Sequence, residues 1–266
     1  MKRLFLLVAL LLAGTAAAQT VERVYILDCG QGRAQDTSRW TPGVNVGVPM
    51  DLVDHCYLIR HRQGWMMWDT GVPERVAQMP DGLVGGGGTL VWKRPKTIAA
   101  QLAEIGVKPE EVRLVAVSHT HGDHVGNVGM FTASTVLIQK AEYDWAFARP
   151  EKPFSAEHKA QKLEGDHDVW GDASVRIIST PGHTPGHQSL LVRMEKTGYV
   201  LLAGDAAHFR DVWENRRVPA MNVSREKTLA SFDRMAGLLA EHKAQLWFNH
   251  DKAQRDTQKL APAFYD

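Results

Sequence analysis

Apolar positions along the chain fall in short runs separated by glycine, proline and polar residues. Val112-Arg113-Leu114-Val115-Ala116-Val117 is apolar and β-branched, and it predicts a buried strand. Val21 to Asp28 alternates loosely and predicts a first strand. His55 to Arg60 and Trp65 to Trp68 predict a hairpin turning at Arg62-Gln63-Gly64. Further strands are expected over Thr135–Gln139, Ser174–Ser179 and Gln245–Phe248, with a second hairpin from Ser189–Arg193 to Tyr199–Ala203. Helical periodicity covers Lys96–Ile105, closed by Gly106, then Ala141–Ala148, stopped at Pro150, and the long amphipathic stretch Ser224–His242. Residues 30–50, rich in Gly, Pro, Thr and Asn, predict a loop. Residues 80–96 surround Gly85-Gly86-Gly87-Gly88 with Leu83, Val84, Leu90, Val91 and Trp92. They read equally as an apolar flap beside a site or as a solvent loop; no Gly-Lys-Ser/Thr follows, so they are not a phosphate loop. The strands come in two sets, each followed by helical pattern. That predicts an α/β sandwich, two packed sheets with helices outside.

Composition changes this picture mainly at the N-terminus. Lys2 and Arg3 precede an apolar run, Leu4 to Leu12, and Ala16-Ala17-Ala18 before Gln19 forms an A-x-A-type cleavage site. These are the marks of a secretory signal peptide over residues 1–18, with one domain over 19–266 and a periplasmic or secreted location. The apolar run is too short to span a bilayer, and no later stretch is long enough. Removing Lys2 and Arg3 takes the net charge from +1 to +1 − 2 = −1. With no basic patch, nucleic-acid binding has no electrostatic support. The only cysteines are Cys29 and Cys56. An oxidising compartment permits a disulfide between them, and their apolar contexts suit buried free thiols equally.

The candidate chemistry sits directly after the Val112–Val117 run, in Ser118-His119-Thr120-His121-Gly122-Asp123-His124-Val125-Gly126-Asn127. Three histidines and an aspartate fall within six positions. Histidine and carboxylate are ligands that zinc accepts. If the strand continues through the first histidines, His119 and His121 share a face, because side chains alternate along a strand. Gly122 lets the chain turn, and Asp123 stands as a candidate N-cap for a new helix. Two pairs aimed at neighbouring points suit two metal ions better than one. A polar loop whose histidines merely hydrogen-bond is the bland alternative, and four ligand-type residues in six positions argue against it. Further ligand-type residues recur just beyond strand-like runs: His183, Asp205 and His250. Loops at strand ends are where a scaffold displays reactive groups.

The motif His119-x-His121-x-Asp123-His124, with His183 in Thr-Pro-Gly-His, Asp205 in Gly-Asp-Ala and His250 before Asp251, resembles the metallo-β-lactamase superfamily. More narrowly it is similar to the N-acyl-homoserine lactonases, the quorum-quenching branch; Cys56-Tyr57-Leu58, Asp69-Thr70-Gly71 and Phe248-Asn249-His250-Asp251 extend the likeness. The resemblance implies an αββα sandwich and two zinc ions. One would be held by His119, His121 and His183, the other by Asp123, His124 and His250, with Asp205 bridging. It implies hydrolysis of a small ester or lactone by a hydroxide held between the metals. Asp123 or Asp205 would carry the proton to the leaving alkoxide, and His208 would aid the oxyanion. In the lactonases the position of His208 is usually tyrosine, which puts rate and substrate preference in question. Met50, Leu83, Trp92, Phe209 and Trp213 are candidates for an apolar wall along an acyl chain. His187 reads as a supporting buried histidine, and Asp69 as an acceptor for a ligand histidine or its loop. His55, His61, His158, His167 and His242 read as ordinary surface or core residues. Rival readings are another hydrolase of the fold (β-lactamase, phosphotriesterase, arylsulfatase or thioesterase) or a metal-binding protein without catalysis. A homodimer stays open.

Overall fold

In the computed structural model, which describes residues 19–266, side-chain alternation along each strand decides the layering. The first sheet contains β1 (Arg23–Ala34), β2 (Met50–His61), β3 (Gly64–Trp68), β4 (Leu83–Gly85), β5 (Leu90–Lys93), β6 (Val112–Ala116), β7 (Thr135–Gln139) and β8 (Ala160–Leu163). Their spatial order is β4-β5-β1-β2-β3-β6-β7-β8. The second sheet contains β9 (His167–Asp168), β10 (Val175–Ser179), β11 (Gln188–Met194), β12 (Gly198–Leu202) and β13 (Gln245–Trp247), in the order β13-β12-β11-β10-β9. Both sheets are mixed: β1–β2–β3 is antiparallel while β3, β6, β7 and β8 run parallel, and β13 joins β12 in parallel. The proposed signal segment lies outside the described residues.

Between the sheets, Ile26, Tyr57, Ile59, Met66 and Trp68 of the first meet Ile177, Leu190, Val192, Val200 and Leu202 of the second. The intervening residues point outward. Leu27, Leu58, Met67 and Val115 pack against Ile98 and Leu102 of α1 (Ile98–Ile105). A four-residue helix α2 (Gly122–Val125) carries Asp123 and His124 of the motif, and α3 (Lys140–Phe147) adds Tyr143 and Phe147 to the same outer layer. On the other side α4 (Arg210–Glu214) and α5 (Arg225–His242) cover the second sheet, with Phe232 and Met235 against Ile178, Leu191 and Leu201. The chain ends in α6 (Lys252–Arg255) and a short tail. The architecture is the expected αββα sandwich.

Two boundaries differ from expectation. The 30–50 stretch is a loop only in its middle, because β1 runs on to Ala34 and β2 begins at Met50. Ladder pairing against β2 and β5 outweighs the local glycines. The glycine-rich 80–96 segment is a small hairpin, β4–β5, with Gly86–Gly88 at its tip. A register shift between Asp28 and Gly30 sets Cys29 beside Cys56, and the two form a disulfide. None of the described helices is long and apolar enough to cross a membrane.

Candidate metal centre

β6 ends at Ala116, so His119 and His121 lie beyond the strand and not on it. The reason is local. Asp69 accepts the Ser118 amide at 2.6 Å, and the Gln188 side-chain amide donates to the Val117 carbonyl at 2.8 Å. Side chains thus take the backbone groups a neighbouring strand would use. The two histidines still converge: His119 Nε2 and His121 Nδ1 lie 2.9 Å apart. Asp123 is not the helix cap. The cap position of α2 is His121, extended and without a side-chain cap bond, and Asp123 sits in the first turn with its carboxylate uncommitted to the backbone.

The seven sequence candidates fall into two groups of potential ligand atoms, each within 4.8 Å of one another: His119, His121, His183 and Asp205, and Asp123, His124 and His250. Asp205 faces both groups. Its Oδ2 lies 3.4 Å from His183 Nε2 and 3.8 Å from His119 Nε2. Its Oδ1 lies 3.0 Å from His250 Nε2 and 3.5 Å from His124 Nε2. His208 Nε2 reaches Asp205 Oδ2 at 3.0 Å.

Hydrogen bonds behind the imidazoles fix which nitrogen faces inward. His250 Nδ1–H donates to the Val53 carbonyl at 2.7 Å. His124 Nδ1 is paired with Asp69 Oδ2 at 2.9 Å, and His183 Nδ1 with Asn222 Oδ1 at 2.9 Å. In each case Nε2 is the nitrogen that faces the centre. His187, fully buried, accepts the Asp205 backbone amide through Nε2 at 2.9 Å, which holds Asp205 in place. Glu142 of α3 was not foreseen. Fully buried, its Oε1 accepts the Thr120 amide and hydroxyl at 2.9 and 2.7 Å, and its Oε2 accepts the Gly186 amide at 3.0 Å. It ties the His119–His121 loop to the His183–His187 loop. Its partners are backbone and hydroxyl groups, so no motif announces it.

The electrostatics fit a cation site. Burial, then the neighbouring imidazoles, push His119 far below the usual histidine range. Burial opposes the charge on Asp205, but His208, His250 and His124 hold it well below the usual carboxylate range. Burial also opposes protonation of His250, yet Asp205 raises it to about 9. His124 Nε2 and Asp205 Oδ1 are buried without a hydrogen-bond partner among the described residues. Imidazole nitrogens and carboxylate oxygens converging this closely are the donor set that divalent zinc takes.

A cleft of about 390 Å³ opens over the centre. Of the residues expected in its apolar wall, Leu83 and Trp92 line it, together with Trp40, Leu52, Leu90 and Met221. Met50, Phe209 and Trp213 do not: they belong to the apolar cluster behind that wall, Phe209 edge-on to Trp40 and Trp213 edge-on to Phe232. The glycine-rich hairpin therefore borders the site. Trp40 and Leu52 were missed because the one lies in a loop without pattern and the other on an unforeseen strand extension.

Comparison with known proteins follows the same lines. Residues 51–241 match the family model of the metallo-beta-lactamase superfamily. An N-acyl homoserine lactonase of Bacillus cereus is 33% identical over 255 residues, covering 92% of this chain and 99% of that protein. The N-acyl homoserine lactonase AttM of Azorhizobium caulinodans is 33% identical over 240 residues, covering 84% of this chain and 90% of that protein. The solved structure of an N-acyl homoserine lactone hydrolase with N-hexanoyl-L-homoserine at its catalytic metal center superimposes with a TM-score of 0.83 at 30% identity, covering 92% of this chain and all of that one. By sequence, by fold and by the placement of its histidines and aspartates, the chain belongs to the metallo-beta-lactamase superfamily, with N-acyl homoserine lactonases among its relatives.

Proposed function

We propose that the protein opens the ring of N-acyl-homoserine lactones or related lactones by hydrolysis at two zinc ions. The observation that carries this reading is Asp205, each of whose carboxylate oxygens faces one set of ligand nitrogens at the floor of an apolar cleft. His119, His121 and His183 would hold one ion, and Asp123, His124 and His250 the other. When bound, such a pair polarises the carbonyl and lowers the pKa of water toward neutrality. The chain's own residues do the rest. The apolar wall seats the acyl chain and excludes water from the cleft. His208, whose Nε2 lies 3.0 Å from Asp205 Oδ2, would have to turn that N–H from the carboxylate to the carbonyl oxygen to stabilise the charge developing there. Asp123 or Asp205 takes the proton from the attacking water and returns it to the ring oxygen as the carbon–oxygen bond breaks. Residues 1–18 would be removed on export, giving a mature chain that starts at Gln19; sequencing the N-terminus of protein from an extracytoplasmic fraction checks this.

A substrate panel on zinc-loaded protein tests the reading. N-hexanoyl-homoserine lactone, a β-lactam and a phosphotriester are compared at equal enzyme concentration. Lactone opening is expected to exceed the other two by at least tenfold in kcat/KM. A β-lactam or phosphotriester turned over faster would transfer the site to another reaction of the fold. No turnover of any of them would leave a metal-binding protein.

A further inference from the structure

A second concavity meets the cleft over the metal centre, and lactone opening makes no use of it. It measures about 830 Å³, and Pro73, Arg75, His121 and Gly122 line both spaces. Gly122 lies on the border that they share. It opens α2, its φ is not in the left-handed region, and a Cβ built there meets nothing within 4 Å. Gly126, four residues on, is different: a Cβ there would meet the Gly71 carbonyl oxygen at 2.4 Å and the Pro73 nitrogen at 2.6 Å. Crowding therefore demands glycine at 126. Neither crowding nor backbone conformation demands it at 122, between the ligand candidates His121 and Asp123. Its bare backbone leaves open space where the two concavities share their lining.

The two spaces differ in chemistry. The first has an apolar wall of Trp40, Leu52, Leu83, Leu90, Trp92 and Met221 above the candidate ligands, with Arg39 and Arg75 also on its lining. The second carries Arg75, Arg149 and Lys152 against one acid, Glu151. Lys152 spends its ammonium on the Phe147 and Arg149 carbonyls. The guanidinium groups of Arg75 and Arg149 have no hydrogen bond or ion pair among the described residues and are free to bind. Arg149 is also positioned. It lies over the Trp145 ring at 3.5 Å, and Trp145 stands edge-on to His121 with ring centroids 6.4 Å apart. A guanidinium with unused donors is thus one aromatic ring away from a candidate metal ligand, and a planar fork of donors matches a carboxylate.

We propose that the site also takes esters extended on both sides of the scissile carbonyl, with the acyl side in the apolar cleft and a carboxylate-ended alcohol side over Gly122 against Arg75 and Arg149. This rests on the ester-opening chemistry proposed above. One water is consumed: its oxygen bonds to the carbonyl carbon, the bond from that carbon to the alcohol oxygen breaks, and the departing oxygen takes a proton. The products are a second carboxylate, with release of its proton, and a hydroxy acid. An N-acyl-homoserine lactone closes its alcohol side into its own ring and does not reach the second space.

The test measures kcat/KM of the zinc-loaded full chain on three substrates. These are the hexanoyl ester of a straight-chain hydroxy acid, the hexanoyl ester of the matching neutral alcohol, and N-hexanoyl-homoserine lactone. The acid-ended ester is expected to beat the neutral one by about tenfold, the effect of one charge-assisted contact. R149E, at an exposed position, should erase that preference. G122L should lower the ratio of acid-ended ester to lactone by about tenfold, with thermal melts confirming that it folds. No preference for the acid-ended ester, or a preference that survives both substitutions, overturns the proposal even if the lactone is opened. An acid-ended ester that is hydrolysed with this pattern while the lactone is not supports the proposal and sinks the lactone reading instead. Turnover of neither overturns both.

Discussion

Glu142 is a buried carboxylate with three donors from the two loops that carry His119, His121 and His183. Replacing it with alanine leaves the Thr120 and Gly186 amides without an acceptor, at about 1–3 kcal/mol each. E142A should therefore lose stability in urea melts and, with the loops loosened, bind zinc roughly 10–100-fold more weakly in a chelator competition. Unaltered zinc affinity would show that Glu142 only supports the fold. His208 calls for a different split. As a donor to the developing oxyanion it should cost kcat roughly 100-fold in H208F, with KM little changed. Zinc content measured by mass spectrometry should stay at the parent value; a matching loss of metal would make His208 a ligand. At this scale the converging histidines and aspartates were legible, because imidazoles and carboxylates at strand ends stand out against an apolar chain. Glu142 was not, since a helix glutamate reads the same whether it meets solvent or two buried amides.

Strand and loop boundaries show where local pattern runs short. β1 and β2 are each 12 residues long, whereas the sequence suggested Val21–Asp28 and His55–Arg60. Cross-strand pairing, which no local window contains, carries them through glycines and polar residues. The same pairing decides the cysteines. Spacing alone left Cys29 and Cys56 undecided; the register shift after Asp28 brings them together. The bridge closes a sequence separation of 27 residues, so losing it should cost roughly 3.5 kcal/mol by the loop-entropy relation. The double substitution C29A/C56A, compared with the parent in denaturant melts, checks this. A change below 1 kcal/mol would mean that packing around β1 and β2 already fixes the strands without the bridge. The β4–β5 hairpin shows the other side of the problem. Its apolar residues were visible in the sequence, but only the fold says that Leu83, Leu90 and Trp92 face the cleft while Val84 faces solvent.

For the whole molecule, the sandwich was legible in outline from two sets of strands with helices between them. What it does to buried histidines was not. Burial, then the charges of Arg255 and His250, hold His55 at about 3. The unfolded chain binds this proton near pH 6.5, while the folded chain binds it only near pH 3. Between those values the unfolded state holds more protons, so stability falls as pH falls, by up to about 1.4 kcal/mol per pH unit from this group. The contribution is fully present above pH 6.5. Urea melts between pH 4 and 6.5 should show a shallower decline in H55F than in the parent. Equal slopes would place the acid sensitivity elsewhere.

The most direct measurement is a zinc titration of metal-depleted protein, followed by ring opening of N-hexanoyl-homoserine lactone. Two sets of ligands meeting at Asp205 predict that activity is absent without metal and saturates at about two equivalents. They also predict that D205A neither reaches that activity nor holds two ions. Full lactone opening by metal-free protein, or by D205A, would contradict a two-ion lactonase centre.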